Sequence, residues 1–107
     1  MVAAITPGEF MELRGRGERM LLLDVREPWE TRLAPVPTEH VRMPMSEIQQ
    51  RLDELDPQLR TVVICRSGGR SLQVAHFLER RGFSSVANLT GGILAWASEL
   101  DPTIPRY

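Results

Sequence analysis

Short apolar runs alternate with amphipathic stretches along most of the chain. The run at 20–25 carries one polar residue, Asp24, near its end, a pattern typical of a parallel strand that is buried on both faces. Residues 61–64 are short, β-branched and apolar after a leading threonine, and they predict the clearest strand in the chain. Shorter strands are predicted at 41–43 and 86–89.

The amphipathic stretches predict five helices. Residues 7–14 form the first, because Thr6 is placed as an N-cap and Glu9 closes a capping box with it. Residues 46–55 repeat the capping-box pattern and carry three apolar residues at helical spacing. The remaining helices are predicted at 27–33, 71–81 and 93–100, and the proline-containing segment 34–40 is predicted to be a loop.

This alternation of strands and helices predicts an α/β fold in which right-handed crossovers build a parallel sheet. A chain of 107 residues suits one domain, here residues 1–107. Ligands of such sheets bind beyond the carboxyl ends of the strands. Cys65 directly follows the strand at 61–64 and therefore stands where a ligand is expected.

Composition narrows the class of protein. Apolar residues make up 42% of the chain and charged residues 25%, as expected of a globular rather than a disordered protein. The net charge of −1 gives no reason to expect a nucleic-acid partner or an anionic membrane surface. The first twenty residues contain no apolar signal region, and no apolar run approaches the roughly 18 residues that a membrane span needs. We therefore expect a cytoplasmic protein.

The basic residues and the cysteine restrict the chemistry further. All 13 basic residues are arginines, which excludes a lysine Schiff base or a P-loop lysine and is typical of a high-GC bacterial genome. Cys65 is the only cysteine, so the chain forms no internal disulfide and carries neither a C-x-x-C redox pair nor a cysteine-rich zinc site. In a reducing compartment such a single thiol stays reduced. Neither a metal site nor a cofactor is predicted.

The segment 65–71, which reads Cys-Arg-Ser-Gly-Gly-Arg-Ser, is the strongest candidate for a reactive site. Gly68 and Gly69 allow the backbone to curl tightly and to expose its N–H groups, and a β-branched residue at either position is expected to distort the turn. Those N–H groups, together with the start of the following helix, favour an anion. The thiolate of Cys65 is the atom placed to use them. Hydrogen bonds to a charged group contribute about 1.5–3 kcal/mol each, so two amide donors suffice to lower the pKa of the thiol without a histidine base.

A simpler interpretation makes Cys65 a small core residue at the end of a buried strand. The glycine-rich, arginine-bearing turn favours the reactive interpretation, since a structural cysteine requires no such turn. Ser67 and Ser71 admit two interpretations, as donors to bound sulfur oxyanions or as caps of the following helix. Asp24 and Arg26 are expected to form an ion pair, which either anchors the active-site region or is purely structural.

Residues 65–71 resemble the active-site loop of the single-domain rhodaneses. Residues 23–27, Leu-Asp-Val-Arg-Glu, resemble the first motif of the same family, and residues 91–96, Gly-Gly-Ile-Leu-Ala-Trp, resemble its C-terminal motif. The three segments occur in the family's order and at similar distances. The resemblance covers most of residues 5–100 and identifies the chain as a member of the rhodanese-like sulfurtransferases.

The resemblance implies an open, mostly parallel sheet of about five short strands with helices on both faces. It also implies an enzyme that moves a sulfane sulfur from a thiosulfate-like donor to a thiophilic acceptor through a Cys65 persulfide. The backbone N–H groups of residues 66–70 would cradle the outer sulfur, and Arg66 and Arg70 would attract the small anionic donor. A thiol or cyanide is the implied acceptor, with a thioredoxin-like protein as one candidate, and neither nucleic acid nor a membrane is implied as a partner.

The sequence departs from the family pattern after residues 24–30. Family members usually carry Gly-His-Ile-Pro-Gly-Ala in this region, whereas residues 34–40 read Ala-Pro-Val-Pro-Thr-Glu-His. The departure leaves Cys65 untouched. It bears on the wall of the pocket, and therefore on donor preference and turnover.

Two other functions compete with sulfur transfer. Cysteine phosphatases and arsenate reductases place five residues between the cysteine and an arginine, whereas Arg70 follows Cys65 after only four and position 71 is serine. The shorter loop fits a sulfur atom better than a phosphoryl group. A non-catalytic rhodanese-like binding module is the other alternative. The altered loop at 34–40 supports it, but such modules often lose the cysteine that this chain keeps.

Overall fold

The computed structural model describes residues 1–107 and shows a five-stranded sheet. The strands are β1 (Ala3–Ile5), β2 (Met20–Asp24), β3 (Val41–Arg42), β4 (Arg60–Ile64) and β5 (Val86–Leu89). Their order in the sheet is β1-β5-β4-β2-β3, so β4 lies at the centre, and every neighbouring pair is parallel. The α/β fold with an open parallel sheet of five short strands is therefore confirmed.

Four α-helices cover the sheet. The predicted capping box starts the first of them, because the Thr6 N–H donates to the Glu9 carboxylate at 2.8 Å and the Glu9 N–H donates to the Thr6 hydroxyl at 3.1 Å. None of the helices has both the length and the apolar surface that crossing a membrane requires. The helices are α1 (Pro7–Gly15), α2 (Pro28–Leu33), α3 (Gly69–Arg80) and α4 (Gly92–Glu99).

The sheet separates two apolar cores. Val62 and Ile64 of β4 join the core beneath α1 and α4, whereas Val63 and Cys65 join the core beneath α3. This division places helices on both faces, as predicted, and explains why the central strands are apolar at every position. It also puts Cys65 at the carboxyl end of the central strand, on the side that α3 covers.

The structure differs from the predicted elements in two main places. The strand β1 was not predicted, because three residues at a sheet edge carry too short a pattern. The helix predicted at 46–55 is wrong, since the segment forms two 3₁₀ helices, Met45–Glu47 and Leu52–Glu54. The segment buries Ile48 and Leu55 against the core beneath α3, and this packing outweighs the weak tendency of so short a stretch to form an α-helix.

The predicted ion pair of Asp24 and Arg26 forms at the carboxyl end of β2. Arg26 donates from Nη2 to Asp24 Oδ2 at 2.8 Å and from Nε to Asp24 Oδ1 at 3.0 Å, and both side chains are fully buried. Arg26 Nη2 also donates to the carbonyl oxygen of Ala34 at 2.9 Å. The pair therefore fixes the start of the 34–40 loop at the carboxyl end of the sheet, where Cys65 also lies.

A second arginine holds the other end of that loop. Arg14 Nη1 of α1 donates to the Thr38 hydroxyl at 3.0 Å and to the Glu39 carbonyl at 2.6 Å. Val36 lies between the two anchors and is buried in the core beneath α1 and α4. The segment that departs from the family pattern thus has defined contacts at both ends and in its middle.

The substitution Asp24→Asn should lower the free energy of unfolding by about 3–5 kcal/mol, because it leaves the Arg26 guanidinium buried without its counter-ion. Denaturation by urea, followed by tryptophan fluorescence, measures the loss. The matched control is Glu12→Gln, which removes the partner of Arg16 in an exposed ion pair and should cost less than about 1 kcal/mol. An Asp24→Asn loss no larger than that of the control would contradict this account of the pair.

Candidate active site

The loop after β4 turns sharply before α3 begins. Gly68 is the N-cap of α3 and has φ +109°, a backbone conformation that favours glycine. Gly69 is already the first helical residue, and nothing lies within 4 Å of the position that a Cβ would take there. The cap is therefore made by backbone conformation, and the interpretation of Ser67 and Ser71 as caps is not supported.

The sulfur of Cys65 lies inside this turn and accepts several hydrogen bonds. The Gly68 N–H donates to Sγ at 3.1 Å, and the Ser71 hydroxyl lies 3.2 Å from it. The backbone amides of Ser67 and Ser71 also lower the pKa of the Cys65 thiol. Cys65 is only 1% exposed, so these donors replace the water that burial has removed.

The surroundings of the Cys65 thiol act on its pKa in opposite directions. Burial raises the pKa, and the hydrogen bonds from the Ser71 hydroxyl and from the amides of residues 71, 68 and 67 lower it by more. The net pKa lies below the ordinary value of a cysteine. An inert core thiol would show only the rise that burial causes. The geometry therefore favours the reactive interpretation of Cys65.

A side chain from β5 holds the two ends of the turn. Asn88 Nδ2 donates to the Gly68 carbonyl at 3.1 Å, and Asn88 Oδ1 lies 2.6 Å from Ser71 Oγ. The Ser71 hydroxyl carries one proton and has two acceptors within reach, Asn88 Oδ1 and Sγ of Cys65. When Cys65 ionises, the charged sulfur becomes the stronger acceptor and draws the hydroxyl proton towards itself. Asn88 was not predicted as a site residue, since its only sequence signal is its place near the end of the strand next to β4.

The first turn of α4 holds the loop after β4 through two backbone hydrogen bonds. The Ile93 N–H donates to the carbonyl of Cys65 at 2.9 Å, and the Leu94 N–H donates to the carbonyl of Arg66 at 3.1 Å. Because a peptide unit is planar and trans, fixing the Arg66 carbonyl on α4 points the Ser67 N–H away from α4. A Cβ on Gly92 would lie 2.5 Å from both carbonyl oxygens, so only glycine permits this approach.

The two loop arginines have different surroundings. Arg70 is held by Glu30 of α2 in a two-pronged ion pair, with Nη1 2.7 Å from Oε2 and Nη2 2.8 Å from Oε1. The hydrogen bonds from Arg70 hold the pKa of Glu30 at about 2 against the effect of burial, so the carboxylate is ionised at neutral pH. Arg66 is exposed, has no carboxylate partner and lies over the ring of Tyr107 at 5.1 Å. Of the two arginines expected to attract an anionic donor, only Arg66 is unpaired.

Tyr107 connects the buried ion pair of β2 to the loop. Its hydroxyl accepts from Arg26 Nη1 at 3.0 Å and donates to Glu30 Oε1 at 2.9 Å. The contacts therefore run without a gap from Asp24 through Arg26, Tyr107 and Glu30 to Arg70. This continuity favours the anchoring interpretation of the Asp24–Arg26 pair. Sequence reasoning missed Glu30 and Tyr107, because the contact from Tyr107 to Arg26 spans 81 residues and leaves no local pattern.

Comparison with known proteins assigns the chain to a family. The family model of the rhodanese-like domain matches residues 6–99. The chain belongs to the rhodanese-like domain family. A solved structure of a rhodanese-related protein from Thermoplasma volcanium aligns with this rhodanese-like chain at a TM-score of 0.81 and 27% identity, covering 96% of this chain and 95% of that one.

Curated relatives match this chain over different shares of their own length. A sulfurtransferase of Allochromatium vinosum is 40% identical over 80 residues, which cover 75% of this chain and 74% of that protein. A rhodanese-like/PpiC domain-containing chloroplastic protein of Arabidopsis thaliana is 43% identical over 90 residues. The rhodanese-like chain spans only 30% of the length of that protein and 24% of the length of a maize adenylyltransferase and sulfurtransferase.

The thiolate of Cys65 should persist to lower pH than that of an unperturbed cysteine, because the hydrogen bonds to the thiol lower its pKa by more than burial raises it. A titration that follows the ultraviolet absorbance of the thiolate should lose the signal only as pH falls through this lowered value. Ser71→Ala removes one donor and should move the midpoint upwards. Ser67→Ala keeps the backbone amide and should leave the midpoint in place. A wild-type midpoint at or above that of free cysteine would contradict the donor arrangement.

A side chain was expected to distort the turn at either Gly68 or Gly69, and the structure supports this expectation only at Gly68. Gly68→Ala forces a side chain into a conformation with φ +109° and should cost about 1–3 kcal/mol of unfolding free energy while raising the pKa of Cys65. Gly69→Ala places a methyl group in open space on a helix and should be neutral or slightly stabilising. Chemical denaturation and thiolate titration of both variants measure the difference. Equal effects at the two positions would show that the turn does not depend on Gly68.

Proposed function

We propose that the chain is a sulfurtransferase of the thiosulfate type, which carries a sulfane sulfur on Cys65 as a persulfide. The donor is a small sulfur anion and the acceptor is thiophilic. One observation carries this proposal: a buried cysteine sulfur at the end of the central strand is surrounded by amide and hydroxyl donors that favour its negative charge. Relatives named as sulfurtransferases support it.

The reaction divides into two displacements at sulfur. In the first, the Cys65 thiolate attacks the outer sulfur of the donor, an S–S bond forms, and the donor's own S–S bond breaks. With thiosulfate as donor, sulfite leaves with the electron pair. In the second, the acceptor attacks the terminal sulfur of the Cys65 persulfide, and the Cys65 thiolate leaves. The nucleophile is thus regenerated without any oxidant or reductant.

The donors of the turn act on the charge that moves during these steps. Negative charge passes from Sγ to the terminal sulfur when the persulfide forms. The amides of residues 66–70 and the hydroxyls of Ser67 and Ser71 are the groups proposed to stabilise the charge on the terminal sulfur. The amides belong to a fixed turn of the backbone, so they need little rearrangement during the reaction. Electrostatic stabilisation contributes most under this condition.

The surroundings of Arg70 favour sulfur transfer over phosphoryl transfer. In the phosphatase alternative, the arginine after the cysteine loop must face the phosphoryl oxygens. Here both ends of the Arg70 guanidinium are bound to Glu30, whose side chain is 4% exposed. The loop is also one residue shorter than that alternative requires.

We further propose that cyanide or a thiol serves as the acceptor. A thioredoxin-like protein is a suitable source of the thiol. Residues 1–107 act as one domain in the cytoplasm, with Cys65 as the catalytic residue and no cofactor. The Asp24–Arg26 pair acts as a support for the loop and does not touch the sulfur.

Incubation with thiosulfate should add the mass of one sulfur atom to the wild-type chain, because the Cys65 thiolate retains the outer sulfur of the donor. Intact-mass spectrometry measures the gain, and cyanide should remove it with release of thiocyanate. Cys65→Ser is the matched control and should gain nothing. No added sulfur on the wild type, under conditions that load an active rhodanese, would remove the proposal.

A further inference from the structure

We propose that Glu30 sets the donor preference of the Cys65 site: by neutralising Arg70, it shifts the preference away from doubly charged thiosulfate and towards a singly charged persulfide. The inference rests on the proposed sulfur transfer and names the residue that sets the relative rates of these two classes of donor. It departs from the expectation that both loop arginines attract the donor. The observation behind it is the balance of fixed charges around the turn.

The Glu30 carboxylate is tightly fixed on Arg70. Each of its oxygens accepts two hydrogen bonds: Oε1 from Arg70 and Tyr107, and Oε2 from Arg70 and the Glu27 backbone N–H, all between 2.7 and 2.9 Å. The Glu30 side chain is 4% exposed and the Arg70 side chain is 34% exposed, so water reaches the ion pair from the arginine side. Every lone-pair direction of the carboxylate is occupied, and the two-pronged hydrogen bonding holds the Arg70 guanidinium on Glu30.

Arg66 is then the only loop cation that remains for the donor. Its guanidinium lies over the Tyr107 ring at 5.1 Å, and that ring meets Trp29 edge-on at 5.8 Å. Trp29 is 56% exposed, so this stack of side chains borders solvent. The surface beside Arg66 therefore offers one positive charge without a carboxylate partner, together with two aromatic rings. An organic persulfide carries a carbon substituent that can contact such rings, whereas thiosulfate carries none.

The persulfide reaction balances in the same way as the thiosulfate reaction. The Cys65 thiolate attacks the outer sulfur of R–S–S⁻, the new S–S bond forms on Cys65, and R–S⁻ leaves with the electron pair of the broken bond. Charge is conserved, and no further reagent is required. Adding one positive charge to the site should assist a dianion more than a monoanion, by roughly tenfold at the distances within such a site.

The test compares loading of Cys65 by thiosulfate with loading by cysteine persulfide, as the ratio of the two second-order rate constants. Glu30→Gln removes the negative charge, keeps a residue type that suits the third position of a capping box, and should raise the thiosulfate-to-persulfide ratio roughly tenfold. Arg70→Gln leaves Glu30 without its counter-ion and should lower the ratio by a similar factor. The double variant restores neutrality and should return the ratio to the wild-type value.

Tyr107→Phe is the control for structural loosening, because it removes one hydrogen bond to Glu30 without changing any charge at neutral pH. Its ratio should equal that of the wild type even where its stability falls. Should Glu30→Gln fail to fold, Arg70→Gln still tests the sign of the effect. Ratios within about twofold of wild type in both single variants would overturn the inference. A wild type that neither donor loads would overturn the proposed function instead.

Discussion

The structure depends on one constraint, which is that a buried sulfur can hold negative charge only where hydrogen-bond donors replace the water it has lost. Around Cys65 those donors are backbone amides of the turn and the Ser71 hydroxyl. Backbone geometry holds these donors in place. Gly68 adopts the positive φ that the turn requires, and the first turn of α4 binds the carbonyl oxygens of Cys65 and Arg66. The reactive group is a single side chain, whereas the surroundings that make it reactive are mainly backbone.

Charge around the turn is arranged in pairs. Asp24 neutralises Arg26 and Glu30 neutralises Arg70, and Tyr107 joins the two pairs through its hydroxyl. Such pairs are costly to break, since removing one partner leaves the other buried and uncompensated. The pairs therefore hold the turn in place. Because the two charges of each pair cancel, they add little net electrostatic potential at the sulfur of Cys65. The proposed shift towards a singly charged donor rests on this arrangement.

Sequence patterns predicted what depends on local chain properties. Continuous apolar strands required a sheet covered on both faces, and glycines between a strand and a helix indicated an anion-binding turn that begins at Cys65. The sequence-based predictions failed where contacts between residues distant in the chain determine the structure. The strand β1 exists only by pairing with β5, and the segment 46–55 takes its shape from packing. The contacts of Asn88, Glu30 and Tyr107 join elements far apart in the chain and leave no periodic signal.

The most direct test of the account is a pH titration of the backbone amides by nuclear magnetic resonance. The amide protons of Ser67, Gly68 and Ser71 should shift together, with a midpoint equal to that of the Cys65 thiolate and below that of free cysteine. In Cys65→Ser the same three resonances should stay constant over that range. Amides that remain unshifted while the thiol ionises would show that they do not hold its charge, and would contradict the central claim.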